Sequence, residues 1–173
     1  MAVSCYTNCQ EVTLTLNDRA IGTKHASDAV DGVLTWDVPY TPGTLKAVGT
    51  IDGKPVAEFT LKTAGPPAGI ELLPDVLRLA TDGICQVEYR IVDAQGVRVP
   101  DSDALVTFAV EGPARVLGIG NGNLASIEDQ KDLAHRAYPG RGLIILQATA
   151  GTGPIIVRAS SPGLPTPTVT IAK

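Results

Sequence analysis

The dipeptide Asp52-Gly53 is bracketed by two runs of alternating residues, and this arrangement restricts the fold more than any other feature of the chain. Ahead of it Leu45, Ala47, Gly49 and Ile51 share one face; after it Ala57, Phe59 and Leu61 resume an apolar face, with Glu58, Thr60 and Lys62 opposite. Alternation with period two is the signature of a half-buried strand. A two-residue Asp-Gly link accepts the positive φ angles of a type I′ turn, whose twist matches that of the flanking strands. The reading is a hairpin of strands 44–51 and 55–63, with Pro55 turned outward because it has no N–H for the ladder.

The same period recurs along the chain. Val12, Leu14 and Leu16 alternate with Glu11, Thr13 and Thr15, and Asn17-Asp18 supplies a second tight turn. Cys85, Val87, Tyr89 and Ile91 alternate with Gln86, Glu88 and Arg90. Further runs at 76–80, 104–110, 113–119, 143–149, 155–160 and 166–172 follow at the spacing of β-sandwiches with Greek-key connections. Residues 124–138 read either as a short helix capped by Ser126 or as an irregular loop. Gly65-Pro66-Pro67-Ala68 forms a stiff, non-pairing spacer. The expected fold is therefore all-β, with two consecutive immunoglobulin-like β-sandwich domains at 1–64 and 69–173. The first is short for a sandwich. Because the chain enters a strand directly behind Met1, a first strand is expected to have been lost there, leaving an edge open to self-association.

Charge and cysteine usage narrow the function classes. Residues 1–64 carry 5 basic and 7 acidic side chains and residues 65–173 carry 9 and 11, a balance of −2 in each part and −4 in total. The arginines are scattered singly, so no basic patch invites nucleic acid. Cys5 and Cys9 would lie roughly 13 Å apart on an extended strand, too far for a disulfide. Three cysteines give no disulfide framework. The N-terminus has neither a basic n-region nor an apolar h-region, and no run approaches a membrane span.

Reactive side chains are few. The only histidines, His25 and His135, sit in polar stretches and read as surface residues; no nucleophile elbow and no H-x-x-x-H metal spacing occurs. Asp101-Ser102-Asp103 begins like a calcium loop, but Val106 stands where the loop needs glycine. No metal site and no cofactor is expected. Gly118-Ile119-Gly120-Asn121-Gly122-Asn123 lacks the lysine and the amphipathic helix of a phosphate cradle, and reads as a strand exit where close backbone approach excludes a Cβ. Among the seven aromatics, Phe59 and Tyr89 fall on core faces and Trp36 plugs the first core, leaving Tyr40 and Tyr138 in loops.

Three long stretches carry a family likeness. YTNCQEVTLTLNDRAIG and WDVPYTPGTLKAVGTIDGKPVAEFTLKTAGPP resemble the Ig-like module that follows the catalytic barrel in bacterial family 2 glycoside hydrolases, the β-galactosidases. VTFAVEGPARVLGIGNGNLASIEDQKDLAHRAYPGRGLIILQATAG is similar to the C-terminal Ig-like module of the same enzymes. The resemblance implies a non-catalytic C-terminal fragment that supports the barrel or subunit contacts. The family's catalytic glutamates lie in that barrel, so no catalytic residue transfers to this chain. Its partners would be the catalytic barrel and other domains of the parent, which is expected to be periplasmic or secreted. The rival reading is a carbohydrate-binding module using Tyr40, Asn121, Asn123, Glu128 and Tyr138. A repeated adhesin stalk is disfavoured because 1–64 and 69–173 share no motif.

Overall fold

The computed structural model describes residues 1–173, which divide into two compact units, Met1–Thr63 and Ala64–Lys173. No helix is long and apolar enough to cross a membrane.

The first unit contains β1 (Ala2–Tyr6), β2 (Glu11–Leu16), β3 (Arg19–His25), β4 (Val33–Asp37), β5 (Thr44–Ile51) and β6 (Lys54–Lys62), with one 3₁₀ turn at Ala26–Asp28. A four-stranded antiparallel sheet in the order β3-β2-β5-β6 faces a two-stranded sheet, β1-β4. Both expected turns are present. Asn17 and Asp18 have φ of 50° and 63°, Asp52 and Gly53 have 50° and 72°, and Ile51 pairs with Lys54 across the second. The core is Val12, Leu14, Leu34, Trp36 and Val38. Gly49, on the inner side of β5, leaves room for Cys9, whose sulfur lies 2.5 Å from where a Cβ would be. All three cysteines are free thiols.

Phe59 departs from the expectation of a core position: it is 67% exposed, and all nine residues of β6 are exposed. The alternation is real, but two strands cannot cover the inner face of four. The edge strand therefore carries its apolar residues into solvent. Tyr6 is exposed as well, so Tyr40 and Tyr138 are not the only accessible aromatics.

The second unit contains β7 (Gly69–Pro74), β8 (Ile84–Val92), β9 (Leu105–Glu111), β10 (Ala114–Gly120), β11 (Ala134–Arg136), β12 (Arg141–Ala148), β13 (Ile155–Ser160) and β14 (Thr168–Ile171). Two four-stranded antiparallel sheets, β10-β12-β8-β7 and β11-β9-β13-β14, enclose one core. Their inner faces follow the sequence alternation: Cys85, Val87, Tyr89 and Ile91 on β8 and Ile144, Leu146 and Ala148 on β12 are fully buried. Each large aliphatic side chain removed from water in this way stabilises the sandwich by about 2 kcal/mol.

Two local expectations change, and one open alternative is resolved. Residues 76–80 are not a strand: pairing ends at Pro74, and only Arg78 makes an isolated bridge, to Ala172, while Leu79 still turns into the core. Residues 124–138 form no helix; they run as an irregular loop that ends in the three-residue β11. The spacer is not free of pairing, because Gly65 N–H donates to Asp93 Oδ2 at 2.7 Å and Ala68 N–H donates to the Val92 carbonyl at 2.8 Å. Asp93, itself buried, also accepts from the Gln95 and Val97 amides.

Candidate functional site

A concavity of about 580 Å³ opens in the second unit on the outer face of the β10-β12-β8-β7 sheet. Its floor follows from strand alternation. Residues that point away from the core on β12 (Leu143, Ile145) and β8 (Glu88) meet Gly118 and Gly120 on β10, which pair with Ile145 and Leu143. Glycine at these two positions leaves the face hollow. A Cβ at 120 would meet nothing, and one at 118 would lie 3.3 Å from the Gln130 carbonyl. The close approach expected of this glycine run therefore holds at Gly118 alone, whereas Gly122 is required by its φ of +77°.

Glu88 supplies the carboxylate. Its Oε2 accepts from Arg90 Nη2 at 2.7 Å, and that bond holds the carboxyl below the usual range. Its Oε1 is buried, has no hydrogen-bond donor, and lies 3.7 Å from Arg141 Nη1. Glu88 is the sole carboxylate lining the pocket. Glycoside hydrolysis by the common mechanisms needs two carboxyl groups flanking one bond.

The wall of the pocket begins a loop that side-chain hydrogen bonds hold in shape. Asn121 Nδ2 donates to the Arg136 carbonyl at 2.9 Å, and its Oδ1 accepts from the Asn123 amide at 2.9 Å. Asn123 Oδ1 accepts from the Ala125 amide, and Ser126 Oγ donates to Glu128 Oε2. Glu128 Oε1 accepts from the Arg136 amide at 3.1 Å, while Tyr89 Oη donates to the Arg136 carbonyl at 3.0 Å. The Arg136 peptide is thus a hub reached from β8, from the loop start and from the loop middle. Asn and Ser close such local rings because their short polar side chains reach the backbone two residues away.

These contacts settle where the five sequence-derived residues lie. Asn121, Asn123 and Glu128 come together, with their polar atoms engaged in organising the loop. Tyr138, 49% exposed, stands just beyond β11; Tyr40, 66% exposed, belongs to the first unit. His135 is not the surface residue its polar neighbours suggest. It is 2% exposed on β11, with Nδ1 3.2 Å from Glu128 Oε2 but not aligned for a hydrogen bond. The burial comes from the register His135↔Val106, which turns the ring inward; a three-residue strand has too short a pattern to announce it. Arg136 and Tyr89 were likewise not singled out as the loop's anchors. Tyr89 bore a signal, a polar tip on a buried ring that needs a partner.

The fold defines this chain as a pair of immunoglobulin-like β-sandwich units. Residues 70–170 match the model of glycoside hydrolase family 2 C-terminal domain 5, and the chain belongs to that family. Residues 1–57 match a domain of unknown function, DUF4982. The chain is similar to the β-galactosidase BoGH2A of Bacteroides ovatus, 38% identical over 163 residues that cover 92% of this chain and 19% of that enzyme. It is 28% identical to a β-glucuronidase of Formosa agariphila, over 95% of this chain and 17% of that protein. A crystal structure of a family 2 member from Bacteroides cellulosilyticus superposes with a TM-score of 0.91 at 34% identity, covering 99% of this chain and 24% of that one. The chain spans about a fifth of the length of these relatives.

Proposed function

We propose that this chain is the C-terminal portion of a β-galactosidase-like enzyme and that its two units brace the catalytic domain or a subunit contact without taking part in the chemistry. The observation that carries the reading is the match along nearly the whole chain to the end of family 2 enzymes, joined to a pocket with one carboxylate where glycosidases need two. A β-galactosidase parent is favoured over a β-glucuronidase by the higher identity to BoGH2A. The boundary between the two supporting domains falls at the leading end of the 65–68 spacer, between Thr63 and Ala64.

The test is hydrolysis of nitrophenyl β-galactoside by three proteins: residues 1–173, the intact enzyme, and the intact enzyme lacking residues 1–173. The expected result is turnover by the intact enzyme only. Turnover by residues 1–173 alone, or full activity and thermal stability after their removal, would overturn the supporting role.

A further inference from the structure

β6 closes the sheet order β3-β2-β5-β6, and its far side pairs with nothing. Its pairing with β5 fixes which way each peptide points. Thr63 N–H donates to the Gly43 carbonyl at 2.9 Å, and the register continues as Leu61↔Leu45, Phe59↔Ala47 and Ala57↔Gly49. Main-chain groups alternate between the two sides of a strand, so residues 57, 59 and 61 bond to β5. The N–H and C=O of Glu58, Thr60 and Lys62 therefore point to the open side. Side chains alternate as well: Ala57, Phe59 and Leu61 share the inner, apolar face, with Phe59 67% and Leu61 54% exposed. The devices that blunt an edge strand, Pro55 and the irregularity at Gly49/Thr50, stand only at the turn end of the hairpin. From 57 to 62 the edge has no proline, no bulge and no inward-pointing charge.

We propose that this edge pairs with the same edge of a second copy of the chain, antiparallel about a two-fold axis at Thr60. Only the even-numbered residues carry free main-chain groups, so they must face one another, and few registers remain. Charge selects among them. Centred on Thr60, the pairing sets Glu58 opposite Lys62 of the second copy and Lys62 opposite its Glu58, two attractive cross-strand pairs. Centred on Phe59, it sets both charges opposite the uncharged Thr60 and Val56; centred on Glu58, it sets Glu58 against Glu58 and Lys62 against Lys54. Like charges directly opposite oppose pairing. The favoured register also lays Phe59 against Leu61 of the second copy, twice, at the non-hydrogen-bonded positions where side chains approach most closely. Each copy thereby covers the apolar row that the two-stranded β1-β4 sheet leaves bare. Lys46 already reaches Glu58 at 2.7 Å from the β5 side, so the carboxylate would stand between two cations. The inference goes beyond the supporting role and stands on the strand edge alone.

Sedimentation and amide exchange of the 173-residue chain over a range of concentrations test this. A monomer–dimer equilibrium is expected, in which the amides of Glu58, Thr60 and Lys62 gain protection as concentration rises. Those of Phe59 and Leu61, already bonded to β5, should not change. Glu58→Lys and Lys62→Glu each put like charges opposite one another and should weaken self-association about tenfold or more. Mixed together, the two variants should form a heterodimer, because every 58–62 position then carries opposite charges. Added salt should weaken the dimer of the unaltered chain, a readout that needs no substitution. A strict monomer at every concentration, protection confined to Ala2–Tyr6, or single variants that dimerise as tightly as the unaltered chain would overturn the proposal. So would protection of the Glu58, Thr60 and Lys62 amides in an intact enzyme that sediments as a monomer, which assigns the edge to another domain of the same polypeptide.

Discussion

Gly142→Ala places a methyl group where the ring of Tyr89 already lies. The two residues are cross-strand partners on β12 and β8, and a Cβ at 142 would sit 2.5 Å from Tyr89 Cε1 and closer still to its hydroxyl. The ring has nowhere to go: it is fully buried, packs edge-on against Phe108 at 5.1 Å, and is tied to the Arg136 carbonyl. Overpacking of this kind costs about 2–3 kcal/mol, and displacement of the hydroxyl adds about 1 kcal/mol for the lost hydrogen bond. The smaller entropy of the unfolded alanine chain returns about 0.7 kcal/mol. The net loss is about 3 kcal/mol, which for a unit of this size is a fall in melting temperature of roughly 10 °C. Because a two-unit chain need not unfold in one step, the assay is amide exchange at Tyr89 and Ile144, read beside calorimetry. In a Tyr89→Leu background the same Gly142→Ala change should cost far less. A fall below about 2 °C, or an equal cost in both backgrounds, would refute the steric argument.

Three other outcomes follow from the same contacts. Burial, reinforced by the Asp75 side chain, pushes the Cys85 thiol up to about 11, so Cys85 should be the last of the three cysteines to alkylate at pH 8; mass spectrometry of the labelled peptides checks it, and reaction as fast as at Cys5 would contradict it. The Gly65 amide, with those of Val97 and Gln95, holds the Asp93 carboxyl below its usual range. Its contribution is therefore full above the ordinary aspartate range near pH 4 and is lost as the pH falls through the lower folded value; exchange of the Gly65 and Val97 amides should rise on acidification, and Asp93→Asn should remove that dependence. Gly53→Val, at φ 72°, should destabilise the β5–β6 hairpin by about 1–2 kcal/mol, measured by urea unfolding followed through Trp36; an unchanged midpoint would argue against the type I′ assignment.

Strand positions were legible because alternation is a local property. Val12 and Leu14, or Val87 and Tyr89, must face one way once the backbone is extended, and the Asn17-Asp18 and Asp52-Gly53 turns require no information from elsewhere in the chain. The family, too, was legible, since three long motifs stand in order. Errors arose where a neighbour decides the outcome. Phe59 alternates correctly yet is exposed, because the facing sheet has only two strands. Residues 76–80 are apolar enough for a strand, but the position of Pro74 and the pairing available to it end the ladder first.

The loop shows the division most sharply. Its composition, rich in Asn, Ser and Asp, favours local hydrogen-bonded rings but left a short helix open as well. Nothing local could determine that Asn121, Glu128 and Tyr89 would meet at the peptide of Arg136, that His135 would be turned inward by its pairing with Val106, or that Leu124 and Ile127 would be left uncovered. Those outcomes depend on strand register and on contacts between residues far apart in the chain, for which a one-dimensional pattern carries no signal. Sequence determined the strands, the turns and the family; the tertiary structure decided which side chains are buried and which are left uncovered.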